Sequence, residues 1–227
     1  MHKKPLPTQL HPSEVTWGIR YLLFELVFLG TLLSIIVPLL WRNVNSAQMT
    51  AIYYFINFAA VLWIFRRFLI SSLGQGLRHW VRSLLIAVIA LAVYLLLFQL
   101  LNQLLPEYCN PNDTRVQENF KDNRLLTAVG AIVLVPMAEE TLFRGLLFGL
   151  FHQKSRILAY VISTIAFSLI HVGGYVQSSP PLFLLLSFVQ YIPAGLALAW
   201  AYECSGSIAA PILMHTVVNT IATFDMR

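Results

Sequence analysis

Charge is what this sequence has least of. Of its 227 residues only 11% are charged, against 58% hydrophobic, and the mean hydropathy is +0.70. A soluble domain carries roughly 25% charged residues, so the composition excludes one and belongs to an integral membrane protein. Cysteine is almost missing. Cys109 and Cys204 are the only two, they make neither a metal-ligand spacing nor a redox motif, and the topology below sets them on opposite sides of a bilayer, so no disulfide is expected. The first residues, with Lys3, Lys4, Pro5, Pro7 and Pro12, lack the apolar core of a cleavable signal peptide. Internal repeats and low-complexity linkers are also absent. A single membrane domain over residues 1–227 is therefore expected, with its motifs confined to about 125–224. The net charge of +5 does not point to nucleic acid, because the basic residues fall at the ends of apolar runs, where they anchor helices and set orientation.

What the sequence does have is long apolar runs. A membrane span needs ~20 mostly apolar residues at 1.5 Å rise each. On that basis the expected helices are Trp17–Trp41, Met49–Phe65, Ser83–Leu105, Leu125–Phe151, Arg156–Val172, Pro181–Tyr202 and Ser207–Phe224. This is an all-α polytopic bundle of about seven to eight spans, an eighth arising if Arg66–Arg82 or the long first run is split. Loops rich in basic residues alternate with the rest. Arg66, Arg67, Arg78 and Arg82 fall in the second loop, Lys154 and Arg156 in the fourth. The third, Pro106 to Arg124, is mixed in charge and turn-rich around Cys109 to Asp113. The positive-inside rule then puts the N-terminus in the cytoplasm, and seven spans put the C-terminus outside.

Against this background Glu139, Glu140 and Arg144 stand out. They lie inside the fourth apolar run, where a single charge at the centre of the bilayer costs at least ~2.5–3.5 kcal/mol. Three charged groups in one span are hard to explain as accidents of packing. Glu140 and Arg144 are four apart, so on a helix they share a face and pair. Glu139 is turned ~100° away. The pair reads as a clasp between helices, and Glu139 reads as a free carboxylate suited to proton transfer.

Two further elements are weak alone. His171 closes Phe167-Ser-Leu-Ile-His171 near the end of the fifth run, where a histidine can simply cap a helix. His215 and Asn219 are four apart in the last run, a spacing equally suited to interhelical hydrogen bonding, worth ~0.6 kcal/mol on average. Together, a Glu, two His and an Asn on three spans are far more specific. Arg20 and Glu25 are the one other candidate pair in a span; Arg20 reads as interfacial, and Glu25 could snorkel, pair with Arg20 or line the same cavity. His79 and His152 sit among basic loop residues and read as interfacial. Gly173-Gly174 marks a helix end, and Pro193 with Gly195 a kink or close helix contact.

Glu-Glu-x-x-x-Arg, Phe-x-x-x-His and His-x-x-x-Asn, in that order on successive spans, resemble the CPBP family. These are the CAAX proteases and bacteriocin-processing (Abi) enzymes, relatives of the type II CAAX prenyl protease. The resemblance covers Leu125 to the C-terminus. It implies an all-helical intramembrane endopeptidase of a bacterial plasma membrane, acting on a CAAX-type protein, a leader peptide, or a bacteriocin or pheromone precursor. By resemblance, Glu139 and His171 would activate a water, His215 and Asn219 would stabilise the oxyanion, and Glu140 with Arg144 would support the catalytic helix. Oxyanion donors are typically worth ~10²–10³ in rate, so Asn219→Ala is expected to impair catalysis more than folding.

Zinc would use Glu139, His171 and His215, an open site by ligand type. No His-Glu-x-x-His pair is present, and a zinc on Glu139 would leave no separate base. A metal-free glutamate mechanism without cofactor is the favoured expectation. The partners expected are the bilayer and a peptide or membrane-protein substrate. The competing readings are a proton-coupled transporter, for which repeated halves and broken helices are missing, and a non-catalytic scaffold of the same fold. One geometric difficulty remains. Glu139 lies ~21 Å along its helix from the outer end, whereas His171 lies near the outer end of its own span. The alternatives are strong tilt, a kink at Pro136, or a different start for the fifth helix.

Overall fold

The computed structural model describes residues 6–105, 108 and 110–224. Lys3 and Lys4, which enter the orientation argument, and Cys109 lie outside the described residues. All regular structure among those residues is helical. In chain order the helices are α1 (Pro12–Leu40), α2 (Ser46–Ile64), α3 (Arg66–Arg78), α4 (Trp80–Leu104), α5 (Pro111–Asp122), α6 (Arg124–His152), α7 (Arg156–Gly173), α8 (Pro181–Ser205) and α9 (Ala209–Phe224). Six of them, α1, α2, α4, α6, α7 and α8, are long and apolar enough to cross a membrane. At 16 residues, α9 spans only ~24 Å, short of a ~30 Å hydrocarbon core.

Local chemistry sets the helix starts. Asn45 caps α2 in a capping box with Gln48, and the side chains of Asn123 and Ser155 accept from Leu126 and Leu158 at the starts of α6 and α7. The stretch expected to be a turn-rich loop instead forms α5, with Asn110 as cap and Pro111 at the first position. That combination is a helix-start signature. Within the Arg66–Arg82 region, Arg66–Arg78 forms α3, whose start is capped from a distance. The buried Glu14 carboxylate accepts the backbone N–H groups of Arg67 (3.1 Å) and Phe68 (2.9 Å). A carboxylate there offsets the positive end of the helix dipole.

These contacts fix which ends lie together. Glu14 of α1, the start of α3, and the Arg82 side chain donating to the Cys204 carbonyl share one end, together with Lys154 after α6 and Arg156 at the start of α7. At the other end Ser46 donates to Asn119 (2.7 Å), Tyr108 to Gln190 (2.7 Å), and Phe120 meets Phe224 edge-on. The chain therefore passes between the ends in the alternating order expected for seven spans. The basic loops fall at one end, and α9 finishes at the other.

α6 runs through the centre. Its segment Thr141–Phe148 is π-helical and buried apart from Leu147, as a helix surrounded by protein must be. Phe68 of α3 packs so close to Gly145 that an added Cβ would lie 2.7 Å from its ring. Small residues do the same elsewhere: Ala87 and Ala90 of α4 share a cluster with Ala197 and Ala201 of α8 and Ala210 of α9. Close backbone approach of this kind holds helices together where lipid supplies no hydrophobic drive.

The depth difficulty disappears once both helices are measured from their shared turn. Glu139 lies thirteen residues before His152 and His171 fifteen after Arg156, ~20 and ~23 Å from that end. The two side chains are level. α6, at 29 residues against 18 for α7, simply overshoots at the far end.

Candidate active site

Three helices bring the site together. Glu139 and Glu140 come from the middle of α6, His171 from the last turn of α7 and His215 from the second turn of α9. Glu140 and Arg144 form the expected clasp, 2.9 Å apart and fully buried. The same Glu140 oxygen also accepts from His215 Nδ1 at 2.7 Å, a contact that no helical spacing predicts. Arg144 donates on to the Gly195 carbonyl (3.2 Å), and its guanidinium lies 4.4 Å from the Phe167 ring centre. Gly195 is thus a close helix contact, as expected: a Cβ there would lie 2.7 Å from Thr164.

Glu139 is placed differently. Its Oε2 is buried with no hydrogen-bond partner in the protein. It stands 3.9 Å from His171 Nε2 and 4.0 Å from His215 Nε2. His171 donates from Nδ1 to the Phe167 carbonyl at 2.8 Å. A carbonyl only accepts, so Nδ1 carries the proton and, in the neutral ring, Nε2 turns a lone pair toward Glu139. His215 is oriented likewise by Glu140. A water making ~2.8 Å hydrogen bonds to both members of either pair would subtend ~90° between them, a comfortable angle for one solvent molecule. Tetrahedral zinc with ~2.0–2.1 Å bonds separates its ligands by only ~3.3–3.4 Å. Both separations are wider, and among the described residues no group of three His, Cys, Asp or Glu is gathered closely enough to hold a metal ion.

Asn219, one turn beyond His215 on α9, makes its contact with the α6 backbone. Its amide donates to the Ala131 carbonyl of α6 at 2.7 Å, and Thr216 donates to the neighbouring Ile132 carbonyl at 3.1 Å. Asn219 therefore holds α6 through its backbone, a structural contact that the sequence did not indicate. Glu25 does not pair with Arg20, whose guanidinium lies over Trp17. It is buried, accepting from Tyr53 and Asn57. His152, expected at the interface, is buried against Glu203 (3.2 Å), whereas His79 is exposed.

One residue at the site went unread in the sequence. Tyr191 of α8 lies against the His171 ring, centres 4.2 Å apart. Its hydroxyl accepts from Asn112 (3.0 Å) and donates to Asp113 (3.3 Å) of α5. Burial pushes the Asp113 carboxyl up from its ordinary value. The Asn110-Pro111 start of α5 was a usable signal for that helix, but nothing marks Tyr191.

Residues 121–221 match the model of the type II CAAX prenyl endopeptidase Rce1-like family. This stretch is similar to the Rce1-like family. It contains α6 through most of α9, and with them Glu139, Glu140, Arg144, His171, His215 and Asn219, so the match coincides with the ordered motifs. Together with six membrane-length apolar helices, the Rce1-like region makes the chain an integral membrane protein. Among curated proteins, the UPF0177 protein YxdF of Lactococcus lactis subsp. lactis (strain IL1403) is 31% identical over 87 residues, covering 38% of this chain and 42% of that protein. The UPF0177 protein YbdJ of the same strain is 30% identical over 92 residues, covering 40% of this chain and 35% of that one. The chain thus spans less than half the length of the curated relatives it matches. No solved structure matches it.

Proposed function

We propose that the chain is an intramembrane endopeptidase in which Glu139 is the general base. The observation that carries this reading is the unpartnered Glu139 Oε2 facing two imidazole nitrogens across gaps of 3.9 and 4.0 Å, wide enough for one water. Glu139 removes a proton from that water while His171 Nε2 accepts its second hydrogen. The oxygen adds to the peptide carbonyl carbon. His215, held through Nδ1 by Glu140, faces the developing oxyanion and donates to it from Nε2 when doubly protonated. The second amide hydrogen of Asn219 is a further donor in this reading. Collapse of the tetrahedral intermediate breaks the C–N bond as Glu139 returns its proton to the leaving amine. Base catalysis of this kind contributes ~10²–10⁴-fold.

The substrate is a membrane-associated protein or peptide, either a CAAX-type protein or a leader, bacteriocin or pheromone precursor. The basic end faces the cytoplasm of a bacterial plasma membrane. The wide Glu139–histidine gaps favour a metal-free reaction over zinc. Cleavage by purified protein is therefore expected to survive a strong zinc chelator, with far less than one zinc bound per chain; one stoichiometric zinc whose removal abolishes cleavage overturns this choice. The substrate search compares peptides and membrane proteins of a deletion strain complemented by wild type, by His171→Ala or by nothing. A shared uncleaved precursor should accumulate in the last two only. Normal processing by His171→Ala would remove the mechanism.

A further inference from the structure

We infer that Thr216 and Asn219 form a clamp on an underwound turn of α6 and thereby position Glu139 and His215. The kinetic part of this inference rests on the protease reading. Residues Gly130–Leu134 of α6 are π-helical. There the Val135 N–H reaches back five residues to the Gly130 carbonyl, so it is not spent on Ala131. The next residue is Pro136, which has no N–H. It gives nothing to Ile132, four residues back, or to Ala131, five back. Two successive carbonyls of α6 thus lack the i+4 amides of a regular α-helix, at a depth where water is scarce and unsatisfied backbone groups are costly.

α9 supplies both missing donors. Asn219 Nδ2 lies 2.7 Å from the Ala131 oxygen and Thr216 Oγ1 lies 3.1 Å from the Ile132 oxygen. The two side chains are one turn apart on α9, matched to adjacent carbonyls on α6. His215 immediately precedes Thr216, and Glu139 follows Pro136 by less than one turn. The clamp therefore fixes the rotation of α9 that aims His215 and the register of α6 that aims Glu139. Bulges of this type recur at functional sites, and here the partner helix is what holds the bulge open. Thr216 is a positioning residue, and Asn219 acts through the same contact.

The test uses the full chain in detergent, measuring both cleavage kinetics and thermal unfolding. Thr216→Val removes the hydroxyl at constant shape and is expected to lower kcat about tenfold with KM within about twofold. Thr216→Ser, which keeps the donor, should restore kcat to within about twofold. Pro136→Ala supplies an amide that can satisfy one of the two carbonyls. In that background the kinetic penalty for Thr216→Val should shrink to about twofold or less if the amide takes Ile132; if it takes Ala131, the unfolding penalty of Asn219→Leu should shrink instead, its loss as an oxyanion donor remaining. The same loss of coupling should appear in the unfolding midpoints. Full penalties for both clamp variants in both backgrounds overturn the clamp. If cleavage is never detected, coupling in unfolding still decides the clamp. If coupling is absent while Glu139→Gln abolishes cleavage, the clamp fails and the protease reading stands.

Discussion

Replacing Glu139 by glutamine should lower kcat by about 10²–10⁴-fold while leaving the protein at least as stable as wild type. The two halves of this result come from one observation. Glu139 Oε2 is buried and makes no hydrogen bond to the protein, so the fold gains little from it. Burying a polar group without a partner costs ~1–3 kcal/mol by mutational measure, and a charged one costs more. Glutamine keeps the shape and removes both the charge and the basicity. A residue retained for its chemistry behaves this way, because sites of function commonly trade stability for activity. The measurement pairs single-turnover cleavage with thermal unfolding in the same detergent. A variant that unfolds several degrees earlier and cleaves normally would make Glu139 a structural residue and end the mechanism proposed above. Lost cleavage accompanied by an equal loss of stability would leave the base unassigned.

Much of this site was legible in the sequence because membrane depth makes polar residues conspicuous. Glu139, Glu140 and Arg144 could be separated into a free carboxylate and a pair by helical spacing alone, and the structure places them so, with Glu140 and Arg144 2.9 Å apart. The long apolar runs were equally readable, since ~20 such residues have few other uses. Illegible were the contacts between distant segments. His215 and Asn219 share a helix face, which suggested one destination. In the structure the first meets Glu140, 75 residues away in sequence, and the second meets the Ala131 backbone, 88 away. The difference arises from the π-helical turn before Pro136, which exposes a carbonyl that no side-chain pattern encodes. Tyr191 and Glu25 were obscure for a similar reason: each acquires its role only from what neighbouring helices place against it.

The neighbouring carboxylate should give the opposite phenotype. Glu140→Ala is expected to destabilise the protein by about 3–5 kcal/mol, the usual cost of breaking one side of a buried ion pair. The cost falls on Arg144, which is fully buried and would keep the Gly195 carbonyl, the Phe167 face and the less direct attraction of Glu139 for its charge. Removing both charges is different. Replacing a buried pair by apolar residues of similar volume is often neutral or stabilising, so Glu140→Leu combined with Arg144→Met should recover most of the lost unfolding midpoint. Activity should not return with it. Glu140 Oε1 also holds His215 Nδ1 at 2.7 Å, and a histidine deprived of its orienting carboxylate loses both tautomer and direction. In serine proteases the corresponding change costs ~10⁴-fold, and a loss of ~10²-fold or more is expected here because His215 is asked only to stabilise charge. A double variant that is stable and inactive would assign Glu140 two separable tasks, holding Arg144 and aiming His215. A double variant that is stable and fully active would show that His215 needs no orientation, and the oxyanion role given to it would fall.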